Sequence, residues 1–170
     1  LNMEKSSEKK EYIFDTSALI SLGVIKLIDD VLKIADIIII LSVIKELEEF
    51  AKYDDENGKL SKEVLEYKNK FILKNAEIKE SVEYVQKTDN ELYNLAKDLS
   101  LTLITDDIKF SRHVDGKIET HFSTFFLTSL VSSKHLSKSK ALGLLDNLRN
   151  IRNWSNNIIY LSTKKELKNL

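Results

Sequence analysis

A chain of 170 residues is long enough for one domain with a sizeable core and too short for two full ones. Its 42% hydrophobic and 31% charged residues are the composition of an ordinary globular protein, and the lack of any cysteine excludes disulfides, thiolate zinc sites and cysteine nucleophiles. A net charge of −1 excludes a global positive field for nucleic acid, so any such binding has to be local, through lysine and arginine clusters or metal ions.

Met3 reads as the natural start, and residues 1–10 as a charged, frayed lead-in. With no signal-peptide pattern and no cysteine, the expected location is the cytoplasm. Tyr12 to Phe14 predicts a short buried strand, and "TSALISLGVIKLIDDVLKI" predicts two short helices broken at Gly23. The longest apolar run, Ile34 to Ile44, is interrupted by Asp36 and predicts a strand over Asp36 to Leu41 covered on both faces, with no membrane span. Ser42 is then placed to cap a helix through about Tyr53, and "YDDENGKLS" to lead into a helix ending near Lys74. "NAEIKESVEYV" is ambiguous, with a short strand near Ile78 as the expectation. Thr88 to Glu91 reads as a capping box, Thr88 at N-cap and Glu91 at N3, opening the helix "ELYNLAKDLS". "LTLIT" predicts the next strand, "DDIKFSRHV" a helix straight off its end, and "KIETHF" a last strand or turn.

From Ser123 onward the pattern is purely helical. Strands alternating with helices, then helices alone, predict an α/β layered domain with a parallel sheet over residues 11–122 and a helical C-terminal extension, 123–170, packed on it.

Ligands of open α/β sheets bind at the carboxyl ends of the strands, so the informative acids are those just after strands. Asp15 ends the first strand, Glu46 lies one turn into the helix after the second, Asp89 opens the capped helix, and Asp106 and Asp107 follow "LTLIT". Each has a structural alternative: Asp89 as a favourable acid in a first helical turn, Asp106 and Asp107 as a solvated pair, Glu46 as part of a wet face with Glu48 and Glu49. Asp15, wedged between two apolar runs, is poorly explained as surface. Carboxylates converging in one cleft are tolerable mainly around a cation, and an all-oxygen set selects Mg²⁺ or Mn²⁺ over zinc. Such a site is suited to phosphodiester cleavage.

"YIFDTSALI", "ILSVIKELEEF" and "TDNELYNLAKDLSLTLITDD" together resemble the PIN-domain family of ribonucleases, over about Tyr12 to Val114. The resemblance implies a three-layer, Rossmann-like parallel sheet flanked by helices, a metal-dependent endoribonuclease activity with Mg²⁺ or Mn²⁺, and products with 5′-phosphate and 3′-hydroxyl ends. Carried onto this chain it assigns the acidic site to Asp15, Glu46, Asp89 and Asp107, with Asp106 as a neighbour that could share the metal. Thr16 and Ser17 would sit beside the metal, and Thr105 in the hydroxyl position before the last acid; helix capping is the alternative for all three.

The C-terminal stretch "ALGLLDNLRNIRNWSNNIIY" also resembles an appendage of some archaeal members, with Trp154 expected to dock the last helix. Lys134, Lys138, Lys140, Arg149 and Arg152 are candidates for RNA contact, against a simple surface role. The partners implied are RNA, an antitoxin or a processing-complex protein, and a second copy in a homodimer. Two competing functions remain: a PIN-like module that binds RNA or a partner without cutting, and a phosphorylated-aspartate protein, which Ser17 argues against because phosphatases of that type need an acid there.

Overall fold

A computed structural model of the chain describes residues 9–170. The lead-in expected over 1–10 therefore lies largely outside the described residues, and Lys10 already belongs to the first strand, β1 (Lys10–Phe14). Four more strands follow: β2 (Ala35–Ile40), β3 (Ile72–Lys74), β4 (Leu103–Ile104) and β5 (Thr120–His121). They form one parallel sheet in the order β3-β2-β1-β4-β5. The chain builds outward from β1 to β3 and then returns to the other side of β1, so the order reverses between β1 and β4. That is the place where a doubly wound sheet leaves a crevice at its carboxyl edge.

β2 explains the isoleucine run. Ile37, Ile38, Ile39 and Ile40 are all buried, which requires helices on both faces of the sheet. Helices α1 (Thr16–Val24), α2 (Ile28–Ile34), α3 (Leu41–Phe50), α4 (Glu56–Leu65), α5 (Lys87–Leu99) and α6 (Ile108–His113) follow in order, then α7 (Phe125–Ser132), α8 (Lys138–Arg152) and α9 (Ile158–Asn169). The result is the three-layer α/β architecture with a helical C-terminal extension.

The extension is wedged onto the sheet by aromatic rings. Phe126 meets Tyr12 edge-on at 5.3 Å and stacks on Phe14 at 5.5 Å, while Phe125 lies parallel to His121 at 4.5 Å. Such pairs add about 0.5–1.5 kcal/mol each beyond the area they bury. In α8, Ala141, Leu145 and Leu148 make one buried stripe at helical spacing, and the buried Thr163 hydroxyl of α9 donates to Thr124 Oγ1 at 2.7 Å.

Several local expectations are corrected. Gly23 does not break the helix: it sits inside α1, where a Cβ would lie 3.0 Å from Val64 Cγ2 of α4, and Lys26, at φ 51°, makes the turn instead. Ser42 is the second residue of α3 and its hydroxyl donates to Glu91. That bond takes the Glu91 carboxylate away from the expected capping box; α5 starts at Lys87, with Gln86 at N-cap. The helix expected to run to Lys74 ends at Leu65, because a 3₁₀ turn (Lys68–Lys70) and strand β3 follow.

No strand forms near Ile78; two asparagines of α5 account for that segment. Asn94 Oδ1 accepts from the Lys79 and Glu80 N–H groups, each at 3.0 Å, and its Nδ2 donates to Glu80 O at 2.7 Å. Asn90 Oδ1 accepts from Val82 N–H at 2.7 Å, and its Nδ2 donates to Val85 O at 3.1 Å. The loop's polar backbone is thus satisfied without a sheet.

Two glycines give opposite expectations. Gly58, in the first turn of α4, backs onto the preceding corner so tightly that a Cβ would lie 1.9 Å from the Tyr53 carbonyl oxygen, whereas a Cβ at the exposed Gly143 of α8 meets nothing within 4 Å. Gly58→Ala should cost about 1–3 kcal/mol and Gly143→Ala should gain about 0.5–1 kcal/mol, read as shifts of the urea midpoint. A Gly58→Ala midpoint equal to wild type would show that the corner yields freely.

Candidate active site

The end of β1 sets the site. Phe14 pairs with Ile104 of β4, and the Asp15 N–H continues the ladder to Ile104 O at 3.1 Å, so the side chain of Asp15 emerges at the crevice. Asp15 then caps α1, its Oδ1 accepting from Ala18 N–H at 2.8 Å. Asp107 caps α6 in the same way, its Oδ1 accepting from Phe110 N–H at 2.9 Å. Glu46 comes from α3 and Asp89 from the first turn of α5. All four acids line one cavity of about 280 Å³, together with Thr16, Ser17, Asn57, Gln86, Thr88 and Arg152. Glu48 and Glu49, which compete with Glu46 in sequence, are exposed.

The three hydroxyls proposed to sit beside a metal orient acids and do not cap helices. Thr16 Oγ1 donates to Glu46 Oε2 at 2.5 Å, and Thr105 Oγ1 donates to Asp15 Oδ2. Ser17 Oγ lies 2.8 and 2.9 Å from the two Asp15 oxygens and accepts from the Asp106 N–H at 2.9 Å. Thr105 Oγ1 also accepts from Asp107 N–H at 3.1 Å. One chain of hydrogen bonds thus joins β1, α1 and the segment after β4.

The electrostatics follow from burial. Asp15 is 5% exposed, and desolvation pushes its pKa up to about 7 against the opposing pull of its bonds from Thr105, Ala18 and Ser17, with the charge of Asp106 adding to the rise. Asp89 is raised to about 6, first by burial and then by the charges of Asp107 and Glu46.

Asp106 stands apart from the four acids that line the cavity. Its carboxylate is turned from the cavity onto Ser123, accepting from the N–H at 2.8 Å and from the hydroxyl at 2.7 Å, so it locks the turn after β5. Burial raises its pKa, while Ser123, the nearby Ser21 and Arg152 pull it down. Three of the five basic candidates are also distant from the cavity. Lys138 and Lys140 open α8, about 20 Å from its other end by helical rise. Lys134 lies in the turn before α8, and Lys138 Nζ donates to Lys168 O at 2.8 Å. Arg149 bonds Tyr160 Oη at 3.2 Å and so ties α8 to α9. Arg152 alone of the five lines the cavity. Asn57, Gln86 and Thr88 line it too, and the sequence does not mark them as site residues: Thr88 reads only as a cap, and Asn57, in the first turn of α4, falls in a polar stretch with no pattern to single it out.

Among the described residues no three acidic or histidine side chains already close around one point as a metal cage. The donor set nonetheless fits a hard divalent ion, because Mg²⁺ keeps several waters and is held through one or two carboxylates. Glu46 Oε1 and Asp107 Oδ2 are left without a hydrogen bond among the described residues, and Asp89 has both oxygens in that state.

The metal-free protein should carry the cost of this desolvation in its pH dependence. The unfolded chain loses the Asp15 proton near pH 4 and the folded chain near 7, so stability from this proton is full below about pH 4 and is lost as pH rises through about 7. In chelator, thermal unfolding temperature should fall between pH 5 and pH 8, and Asp15→Asn should flatten that fall. A mutant profile parallel to wild type would mean that Asp15 is not desolvated.

Comparison with known proteins agrees with this architecture. A family model described as a PIN domain matches residues 12–121. Among solved structures, a domain of a functionally unknown protein from Methanocaldococcus jannaschii aligns at 25% identity and a TM-score of 0.50, covering 66% of this chain and 90% of its own. The Pyrobaculum aerophilum protein PAE2754 aligns at 19% identity and a TM-score of 0.54, covering 73% of this chain and 98% of its own, a likeness of fold. A search of curated proteins gave no match. With more than half of its length matched and the sheet order and acid placement described above, the chain belongs to the PIN-domain family.

Proposed function

We propose that this protein is a divalent-metal-dependent endoribonuclease. PIN domains are commonly nucleases. The observation that carries the reading is that Asp15, Glu46, Asp89 and Asp107, from four separate segments, face one cavity at the carboxyl edge of the sheet. Among the described residues no helix is long and apolar enough to cross a membrane.

Asp15, Asp89 and Asp107, with Glu46, would hold one or two Mg²⁺ or Mn²⁺ ions. When bound, such an ion supplies Lewis acidity to the phosphodiester and lowers the pKa of the attacking water. The chain's own residues supply orientation. Thr105, Ser17 and the Ala18 N–H hold Asp15 in one rotamer, and Thr16 holds Glu46 by one oxygen, leaving the other for the cavity. Asp89, Glu46 and Asp107 each keep a carboxylate oxygen with no hydrogen-bond partner among the described residues, so a carboxylate not engaged by the metal is available to take a proton from water during in-line attack. The products expected are a 5′-phosphate and a 3′-hydroxyl. An antitoxin or processing partner that silences the protein would act by bringing a cation into the acidic cavity, and a homodimer fits the same reading.

Asp15→Asn and Asp89→Asn should each lower cleavage of single-stranded RNA in Mn²⁺ by about 100-fold or more while circular dichroism stays unchanged. Chelation should abolish cleavage and added Mn²⁺ restore it. Wild-type cleavage by folded Asp15→Asn, or cleavage that survives chelation, would overturn the proposal. RNA and Mn²⁺ binding by the wild-type protein without any cleavage would favour the non-catalytic module.

A further inference from the structure

The C-terminal extension enters the acidic cavity through Arg152, the last residue of α8. The next residue, Asn153, takes the left-handed conformation at φ 56° and turns the chain, which brings the Trp154 ring within cation–π reach of the guanidinium, 5.8 Å from its central carbon to the ring centroid. Trp154 is itself buried in the core. A cation–π contact of this kind uses none of the guanidinium's N–H donors for hydrogen bonds to the protein. Arg149 spends its edge on Tyr160 and Asn150, whereas Arg152 makes no hydrogen bond or ion pair among the described residues. A partly buried fork of donors that makes no hydrogen bond among the described residues, with Asp106 near enough only to feel its charge, is arranged for an oxyanion, and a phosphate takes it in bidentate fashion.

Beyond Arg152 lies a second cavity of about 300 Å³, and Arg152 and Asn57 belong to the walls of both. Leu60, Ile151 and Trp154 give it apolar surface, while Asp55 and Glu56 give it a carboxylate rim. That rim repels a further phosphate and accepts hydrogen bonds from the amino group of a base, as carboxylates do toward cytosine. The volume, the apolar wall and the acceptors together suit a nucleoside.

We propose that Arg152 grips a phosphate of the bound RNA strand at the boundary between the two cavities, and that the second cavity receives the attached nucleoside, favouring amino-bearing bases over uracil. The proposal rests on the nuclease reading of the carboxylate cavity and adds a substrate contact from outside the matched region, which ends at residue 121.

The test compares wild type, Arg152→Ala, Arg152→Lys and Glu56→Ala on a single-stranded RNA pool randomised around the cut, in Mn²⁺, with products sequenced. Arg152→Ala should lower kcat/KM by about 10–100-fold, leave Mn²⁺ affinity and unfolding temperature as in wild type, and weaken binding of uncut RNA equally in an Asp15→Asn background. Arg152→Lys should recover only part, since an ammonium cannot present a planar fork of donors. Glu56→Ala, at an exposed position, should lose the discrimination against uridine at one flanking position. Cleavage and RNA binding by Arg152→Ala within twofold of wild type, or losses matched by equal losses of Mn²⁺ affinity or unfolding temperature, would overturn the phosphate contact. An unchanged base profile in Glu56→Ala would overturn the nucleoside pocket. Asp15→Asn separates the two levels: if it cleaves normally the nuclease reading fails, and if it is inactive while Arg152→Ala is normal only this inference fails.

Discussion

A carboxylate placed at the end of the central strand has almost no water to solvate it, and the surroundings of Asp15 are organised around that deficit. Its oxygens take hydrogen bonds from β4's following residue Thr105, from Ser17 and from the first turn of α1. These bonds keep the side chain in place without removing the desolvation, which is why its proton affinity stays high. Because the same hydroxyls also accept from the Asp106 and Asp107 N–H groups, the segment after β4 is held in register with the end of β1. The crevice at the strand reversal is therefore cross-linked by polar groups where the aliphatic core stops.

The α/β part and the C-terminal helices contribute different things to this edge. The sheet and its helices supply acids; the extension supplies a cation. Phe125 and Phe126 anchor the extension against β1 and His121, and the contact between Thr124 and Thr163 closes α9 onto the start of α7. With those anchors set, α8 runs its full length from the Ser137 cap to the cavity and ends there with Arg152. An acidic cavity with one guanidinium at its border, unpaired among the described residues, has a polarity: four carboxylates on one side and a cation on the other.

Much of this was legible in the sequence, for a physical reason. A parallel sheet with both faces covered writes itself as apolar runs, and an acid close behind such a run, as at Asp15 and Asp107, has to emerge at one edge; Glu46 and Asp89 lie inside helices, and the resemblance to the PIN family is what joins them to the set. Asp106 and Asp107 could not be separated that way, since neighbours differ only in side-chain direction, and the direction was decided by Ser123, 17 residues on. The capping box failed for a related reason: its Glu91 found a better donor in Ser42, 49 residues away. Arg152 carried no local signal that set it apart from Arg149 or the lysines of the same helix. Only the packing of α8 decides which of them arrives.

Asn90 and Asn94 have a consequence for how the mouth of the cavity is held. They satisfy the backbone of the loop around Lys79 to Val85 from the helix that also carries Asp89, and the loop adds Val82 to the core and pairs Lys79 with Asp98 and Glu80 with Lys97 of the same helix. Its far end, Gln86, reaches the cavity. Because one helix fixes both that rim and Asp89, the mouth of the cavity and one of its acids are held as a unit.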